Sequence, residues 1–430
     1  MKVLWRGVVA SVVMAMLGAG SSAAVAAKVE LVVQYTQPQI FDDVFDTLKE
    51  EFEAQNPDIE IKYRAPLPNY GAGIQAMFRE ATVGDMPHVN YIGLSYLPSV
   101  AARGLAVDLA PLMAADGQTF DENGWTESLR TIGRADGKQL ALPFAISMSV
   151  TYFNADLVRE AGGDPDNMPA DWDGIIRLAG KIRDLGPDYA GMYIPYSAGW
   201  YGAWYFQGVL FSHGGEMMRP GAAKVALADD PGWTKAVGLY RRMADDGGML
   251  ALGDQAQRQQ FISGRMGFVI DSISRLFNFE KAVGDRFDFR TAAHPMGADG
   301  GRLPTGGNLA LITTAAAEDQ EILDAAWKWL RFSTGPFGTT QVIKQVGYTP
   351  VNVKALDDPS YLKGYFDARP RHKTAVDQLP RVREWYQFPG DNGLKIDDAI
   401  GEHLEGVVDK SLDPEAALVS LTAEINKLLP

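Results

Sequence analysis

The run Val29-Glu30-Leu31-Val32-Val33-Gln34-Tyr35, then Phe41, Phe45, Leu48 and Phe52, then Ile59-Glu60-Ile61-Lys62-Tyr63, decides the fold. The first stretch is a buried strand. The four apolar residues recur at helical spacing, and Asn56-Pro57 stops the helix. Ile59, Ile61 and Tyr63 alternate with polar residues, which makes a second strand. A helix over Ile74 to Ala81, a turn at Gly84 to Pro87 and a strand at Val89 to Ile92 follow. Strand, helix, strand, helix, strand at this spacing implies right-handed crossovers and a parallel, doubly wound sheet.

The alternation continues outward. Ala135-Asp136-Gly137-Lys138 is a turn between short strands that lead to Leu140 and Phe144. Val150 to Phe153 is a strand, and a helix starts at Ala155. Trp172, Ile175, Ile176, Ala179 and Ile182 mark another helix with Asp171 as its cap. Trp233, Val237, Tyr240 and Met243 mark the next, and Phe268 to Ile270 is a strand. Gly297 to Gly307 reads as a glycine-rich loop, and Ile322, Leu323, Ala326, Trp327 and Leu330 as a helix. The last helix takes Asp413 as cap and Pro414 in its first turn, with Leu418, Leu421, Ile425 and Leu428 as its buried stripe.

A chain of 430 residues, 46% of them hydrophobic, builds two domains of ordinary size, each with its own core. Its formal net charge of −14 opposes binding to nucleic acid or to an anionic membrane. A local cleft can still carry the opposite sign. Lys2 and Arg6, the apolar run Val8 to Leu17 and the small-x-small triplet Ala24-Val25-Ala26 read as a cleaved export signal over residues 1–26. Cysteine is absent, so neither a disulfide framework nor a lipid-bearing cysteine exists. The expectation is a freely soluble periplasmic protein.

Enzyme signatures are sparse. The five histidines, His88, His213, His294, His372 and His403, form no compact ligand spacing. Gly93-Leu94-Ser95-Tyr96-Leu97 lacks the final glycine of a nucleophile elbow. Gly307 and Asn308 stand where a phosphate-binding P-loop needs lysine and a hydroxyl residue. Gly71-Ala72-Gly73 does not complete a dinucleotide fingerprint. Carboxylates are abundant, which leaves a glycosidase pair open. No metal or cofactor is expected.

Gly199-Trp200-Tyr201-Gly202-Ala203-Trp204-Tyr205-Phe206 is the most informative segment. Trp200 and Trp204 share a helix face. Sugars pack their C–H faces on such rings, with Tyr196 and Ser197 at hand for hydroxyls; a protein core uses the same rings, and both readings stand. Ligands of open α/β sheets bind beyond the carboxyl ends of strands. That places Gln34, Tyr35 and Ser95 on candidate loops.

Asp136-Gly137-Lys138 through Leu142-Pro143-Phe144, then Tyr152-Phe153-Asn154 and Ala161-Gly162, form an ordered series. Phe261-x-x-Gly264-Arg265-Met266-Gly267, Gly306-Gly307-Asn308, Gly347-Tyr348-x-Pro350-Val351 and Pro414-Glu415-Ala416-Ala417 extend it. The series resembles the sugar-type extracellular solute-binding proteins of ABC importers over nearly the whole mature chain. The pattern is nearest to the glycerol-phosphate-binding members. By that resemblance Tyr70, Ser147, Ser272, Gly306, Gly307 and Tyr348 contact ligand, with Asn308 and Asp271 as neighbours. Trp385 and Tyr386 offer further rings.

Two positions depart from those members. Tyr91-Ile92-Gly93-Leu94-Ser95 has no acid where they carry one, and Phe388-Pro389-Gly390 has no arginine. Losing the arginine removes a fork suited to phosphate oxygens. The expected ligand is therefore a sugar, glycoside or related polyol. A glycerol phosphate or glycerophosphodiester is the alternative, and a secreted carbohydrate-active hydrolase is the rival of another class.

The resemblance implies a two-lobed α/β fold, each lobe a mainly parallel sheet flanked by helices, with the ligand cleft between them. The expected division is 27–143 with 291–346 for one lobe, and 144–290 with 347–430 for the other, the C-terminal helices packing near the hinge. It further implies a non-enzymatic monomer that closes over its ligand and delivers it to an ABC permease.

Overall fold

The computed structural model describes residue 1 and residues 28–197, 199–297, 301–390 and 392–430. The export-signal reading of residues 2–26 lies outside the described residues. The strands of the two principal sheets are β1 (Val29–Gln34), β2 (Ile59–Tyr63), β3 (Val89–Gly93), β4 (Leu142–Ser147), β5 (Ser149–Asn154), β6 (Ala190–Tyr193), β7 (Met266–Ser272), β8 (Phe289–Ala292) and β9 (Gly306–Ile312). The first sheet runs β2-β1-β3-β9-β4 and the second β8-β5-β7-β6.

In the first sheet β1 lies parallel to β2 and to β3. Helix Pro38–Gln55 connects β1 to β2 and buries Phe41, Val44, Phe45, Leu48 and Phe52. Phe45 stacks on Phe144 of β4, ring centroids 5.2 Å apart, and meets Tyr91 of β3 edge-on at 4.7 Å. Helix Tyr70–Val83 starts earlier than the apolar period alone predicts. Asn69 caps it, accepting the Ala72 N–H at 2.8 Å.

β9 corrects the reading of Gly306 and Gly307 as loop. It inserts antiparallel between β3 and β4, placing Gly306 opposite Ser147 and Gly307 opposite Ile146. Glycine is a poor strand former, but here the backbone demands it. Gly307 has φ 115°, and a Cβ would stand 1.9 Å from the Ala145 carbonyl oxygen.

The second sheet is mixed. β5 pairs antiparallel with both β7 and β8, and only β6 with β7 is parallel. This corrects the expectation of a mainly parallel sheet in each lobe. β5 and β7 are buried along their whole length, so neither has a solvent face whose pattern would mark its direction. Helices Trp172–Arg183, Trp200–Ser212, Pro231–Asp245, Gly393–Val408 and Pro414–Leu428 share one core with this sheet. Asp171 caps the first of them at 2.7 Å from the Gly174 N–H, and Asp413 caps the last at 2.9 Å from the Glu415 N–H.

The cores under the two sheets are separate; the chain crosses between them after Ser147, between Ala292 and Gly306, and after Val382, and helix Pro370–Val376 also packs on the second sheet. Met148 alone separates β4 from β5, so the first crossing follows Ser147, not residue 143. β8 keeps residues 291 and 292 in the second sheet, and the chain returns before β9. The third crossing runs after Val382, which packs under the first sheet together with Val351. Leu303–Pro304 and Val382–Arg383 pair in parallel, so the last two crossings lie side by side.

Candidate functional site

A cleft of about 620 Å³ opens between the lobes beside these crossings. The first lobe contributes Gln37, Tyr70, Gly306, Gly307 and Tyr348. The second contributes Tyr201, Trp204, Ser272, Arg275 and Trp385, and Ser147 sits at the junction. Tyr70, Ser147, Trp204, Ser272, Gly306, Gly307 and Tyr348 are thus brought to one place.

Each is positioned by its element. Ser147 ends β4 and Ser272 ends β7, and their Oγ atoms lie 2.5 Å apart. Ser272 Oγ also lies 2.7 Å from Ser274 Oγ, and the Ser272 carbonyl accepts the Tyr152 hydroxyl at 2.8 Å. Tyr70 opens its helix against the end of β3. A Cβ on Gly93 would stand 2.9 Å from Tyr70 Cβ, so the glycine admits the tyrosine. The Tyr348 carbonyl is paired with His372 Nε2 at 2.9 Å, and burial pushes the Tyr348 phenol up to about 12.

Trp204 is 4% exposed and lies against the β9 backbone: a Cβ on Gly306 would be 3.4 Å from its indole. Its Nε1 is buried without a hydrogen-bond partner among the described residues. Trp200 begins the same helix, but its side chain lies outside what is described, as does the stacking role expected of it.

Four of the expected residues do not line this cleft. Tyr35 turns into the first core rather than the cleft. Its ring stacks on Phe45 at 4.0 Å and its hydroxyl donates to Asp42 at 2.7 Å. Ser95 lines a different groove, of about 860 Å³, with Tyr96, Arg103 and Tyr386. Asn308 is buried behind the cleft, where its Oδ1 accepts the Ala145 N–H at 3.2 Å. Asp271 is fully buried and does not line the cleft.

Asp271 instead organises the wall. Its Oδ2 accepts from Arg258 Nε at 2.7 Å, and its Oδ1 from Tyr201 at 2.7 Å and Tyr205 at 2.5 Å. Burial alone would raise its carboxyl. Arg258, Arg275 and the Tyr205 hydroxyl outweigh that and hold it below the usual carboxylate range.

Sequence reasoning missed Gln37, Tyr201 and Arg275 as lining residues. Gln37 caps helix Pro38–Gln55 in the left-handed region, at φ 58°, a strained conformation for a residue with a Cβ. No sequence signal marks it. Arg275 had one: Ser272-Ile273-Ser274-Arg275 follows directly on the carboxyl end of β7. Among the described residues no group of three or more metal-ligating side chains assembles.

This two-lobed frame places a cleft beside the crossings between its lobes. The chain belongs to the bacterial extracellular solute-binding protein family, whose model matches residues 47–364. It is 26% identical over 392 residues to a binding protein of Brucella abortus, covering 90% of this chain and 89% of that protein. It is 24% identical over 406 residues to the sn-glycerol-3-phosphate-binding periplasmic protein of Escherichia coli K12, covering 89% of each. The solved sugar-binding protein MalE of Xanthomonas citri matches with TM-score 0.80 at 20% identity, over 93% of this chain and 97% of that one.

Proposed function

We propose that the chain is the periplasmic binding component of an ABC importer that captures a hydroxyl-rich small molecule, a sugar, glycoside or related polyol. It holds the ligand by hinge closure, performs no chemistry on it and hands it as a monomer to a membrane permease. One observation carries this reading. Hydroxyls from both sheets, Ser147 and Ser272, meet at the floor of a cleft walled by Tyr70, Trp204, Tyr348 and Trp385. Rings pack on C–H faces while hydroxyls and backbone groups take the oxygens. Closing such a cleft excludes water, and a poorly matched guest leaves buried polar groups unpaired.

The described lining carries no paired carboxylates of the kind glycoside hydrolysis uses, which favours capture over turnover. The lobes are assigned as residues up to Ser147 with residues 306–366, and residues from Ser149 to Ala292 with helix Pro370–Val376 and those from Arg383 onward. A thermal-shift screen over sugars, polyols, uronates and phosphate esters tests the reading, with small-angle scattering on any hit. A raised melting temperature with a more compact shape is expected. Conversion of a bound glycoside, read by mass spectrometry, would overturn it.

A further inference from the structure

Arg275 is the one charged side chain among the described residues lining the cleft. Its guanidinium carbon lies 6.0 Å from the centre of the Tyr201 ring, and its charge reaches Tyr348 on the opposite lobe. Behind it lies Asp271, whose oxygens are already taken by Arg258, Tyr201, Tyr205 and the Ser272 N–H. Two guanidiniums therefore face one carboxylate, and the surplus positive charge sits at the cleft. Among the described residues no carboxylate lies within ion-pair distance of Arg275.

Helix direction adds to this independently. Helices Pro38–Gln55, Tyr70–Val83, Trp200–Ser212 and Leu276–Val283 each place first-turn residues in the cleft lining: Gln39, Tyr70, Tyr201 and Phe277. None of the four has an acidic residue in its first turn to neutralise its positive end. The lining also holds a buried donor with nothing to donate to, Trp204 Nε1. A guanidinium and four helix N-termini call for negative charge, and the unused N–H for an acceptor beside it.

We infer that the ligand is a monoanionic polyol, a sugar acid or a glycerophosphodiester, and that Arg275 binds its charged oxygens. One surplus positive charge matches one negative charge. A phosphate monoester, near −2 at neutral pH, leaves part of its charge unmatched. The missing C-terminal arginine therefore does not exclude an anionic ligand, because the cation enters from the end of β7. This rests on the reading that the cleft captures a polyol.

The test is calorimetry at pH 7.5 and low salt with four probes: D-galacturonate, sn-glycero-3-phosphoglycerol, glycerol 3-phosphate and neutral methyl β-D-galactoside. At least one of the first two is expected to bind tenfold or more tighter than both others, and the pair separates carboxylate from phosphodiester. Arg275→Gln should cost that monoanion at least tenfold in affinity. Its effect on the neutral glycoside, read by competition, should be several-fold smaller than its effect on the monoanion. Arg275→Lys should fall between, because an ammonium cannot grip two oxygens in one plane.

Tight binding of the neutral glycoside or of the monoester dianion in preference overturns this inference and leaves the solute-binding reading standing. So does monoanion binding that Arg275→Gln leaves intact. No binding of any probe by folded wild type overturns this inference and leaves the solute-binding reading to the wider thermal-shift screen. If Arg275→Gln does not fold, the wild-type ranking alone decides.

Discussion

Ser147 Oγ and Ser272 Oγ stand 2.5 Å apart although they end strands of different sheets. Each hydroxyl is therefore satisfied by the opposite lobe until a ligand hydroxyl takes its place. Ser147→Ala and Ser272→Ala should each weaken ligand binding by about 1 kcal/mol, roughly fivefold. The double variant should lose less than the sum, because either single change already breaks the bond between the two hydroxyls, with Ser272 still held by Ser274. A calorimetric double-mutant cycle checks this, and strictly additive losses would count against a shared role.

Trp204 combines a buried ring with an unused donor, and the two can be separated. Trp204→Ala should cost about 3–5 kcal/mol of stability, as large-to-small core changes do. Trp204→Phe should keep most of the stability but lose affinity, because it keeps a ring and removes the N–H. Thermal melts and calorimetry on both variants give the answer. Undiminished affinity in Trp204→Phe would leave Nε1 with no part in binding.

Two glycines next to the cleft should fail differently when given a methyl group. At Gly307 the new Cβ meets a backbone oxygen at 1.9 Å, in a left-handed conformation. Gly307→Ala should therefore destabilise the fold by about 3 kcal/mol or more. At Gly93 the clash is with Tyr70, at 2.9 Å from its Cβ. Gly93→Ala should shift that ring and lower affinity about tenfold, with a smaller change in melting temperature. Equal loss of stability in both would refute the distinction.

Asp397 governs stability on the alkaline side. It is 3% exposed in helix Gly393–Val408, and its Oδ2 has no hydrogen-bond partner among the described residues. Burial, reinforced by the charge of Asp398, pushes its carboxyl up to about 7. The folded protein thus holds the proton more tightly than the unfolded chain. This stabilisation is complete below the ordinary aspartate range and is lost as pH rises through about 7. Asp397→Asn should remove that loss, worth up to about 4 kcal/mol at pH 8, as denaturant midpoints from pH 4 to 8 would show. A parallel fall in both proteins would disprove it.

His294 acts on the acid side. Buried beside Ser149 at 2.8 Å, it is held down to about 3, chiefly by burial. The folded protein therefore resists the proton that the unfolded chain takes up near pH 6.5, and stability should decline as pH drops from there toward 3. His294→Gln should flatten that decline in the same denaturant series, and an unchanged acid slope would sink the assignment.

The βαβαβ start was legible because its strands alternate or run apolar in short lengths and its helices carry a clean apolar stripe. Tyr35 was not, because the end of a strand can turn either way: only the chain beyond Gln34 shows that its ring stacks on Phe45. Asp271 and Arg275 look alike as charged residues near the end of β7. Which one is fully buried depends on Arg258 and Tyr205, which approach from other helices. The family pattern drew attention to an arginine near residue 388, and the cation in this cleft comes from a segment more than a hundred residues earlier. Gly306 and Gly307 read as loop because their fitness for a strand lies in the neighbour Ala145, not in themselves.

Leu303–Pro304 runs beside Val382–Arg383, and a single methionine joins β4 to β5. Three short tethers set close together behave as a leaf spring and not as a ball joint: bending about their common line is soft, while sliding or torsion strains all of them at once. Motion of the halves should accordingly be dominated by one bending angle, the quantity a docking partner would gauge to tell a loaded molecule from an empty one. A proteolytic nick in one tether would leave two in place, so the cut protein should still travel as one particle.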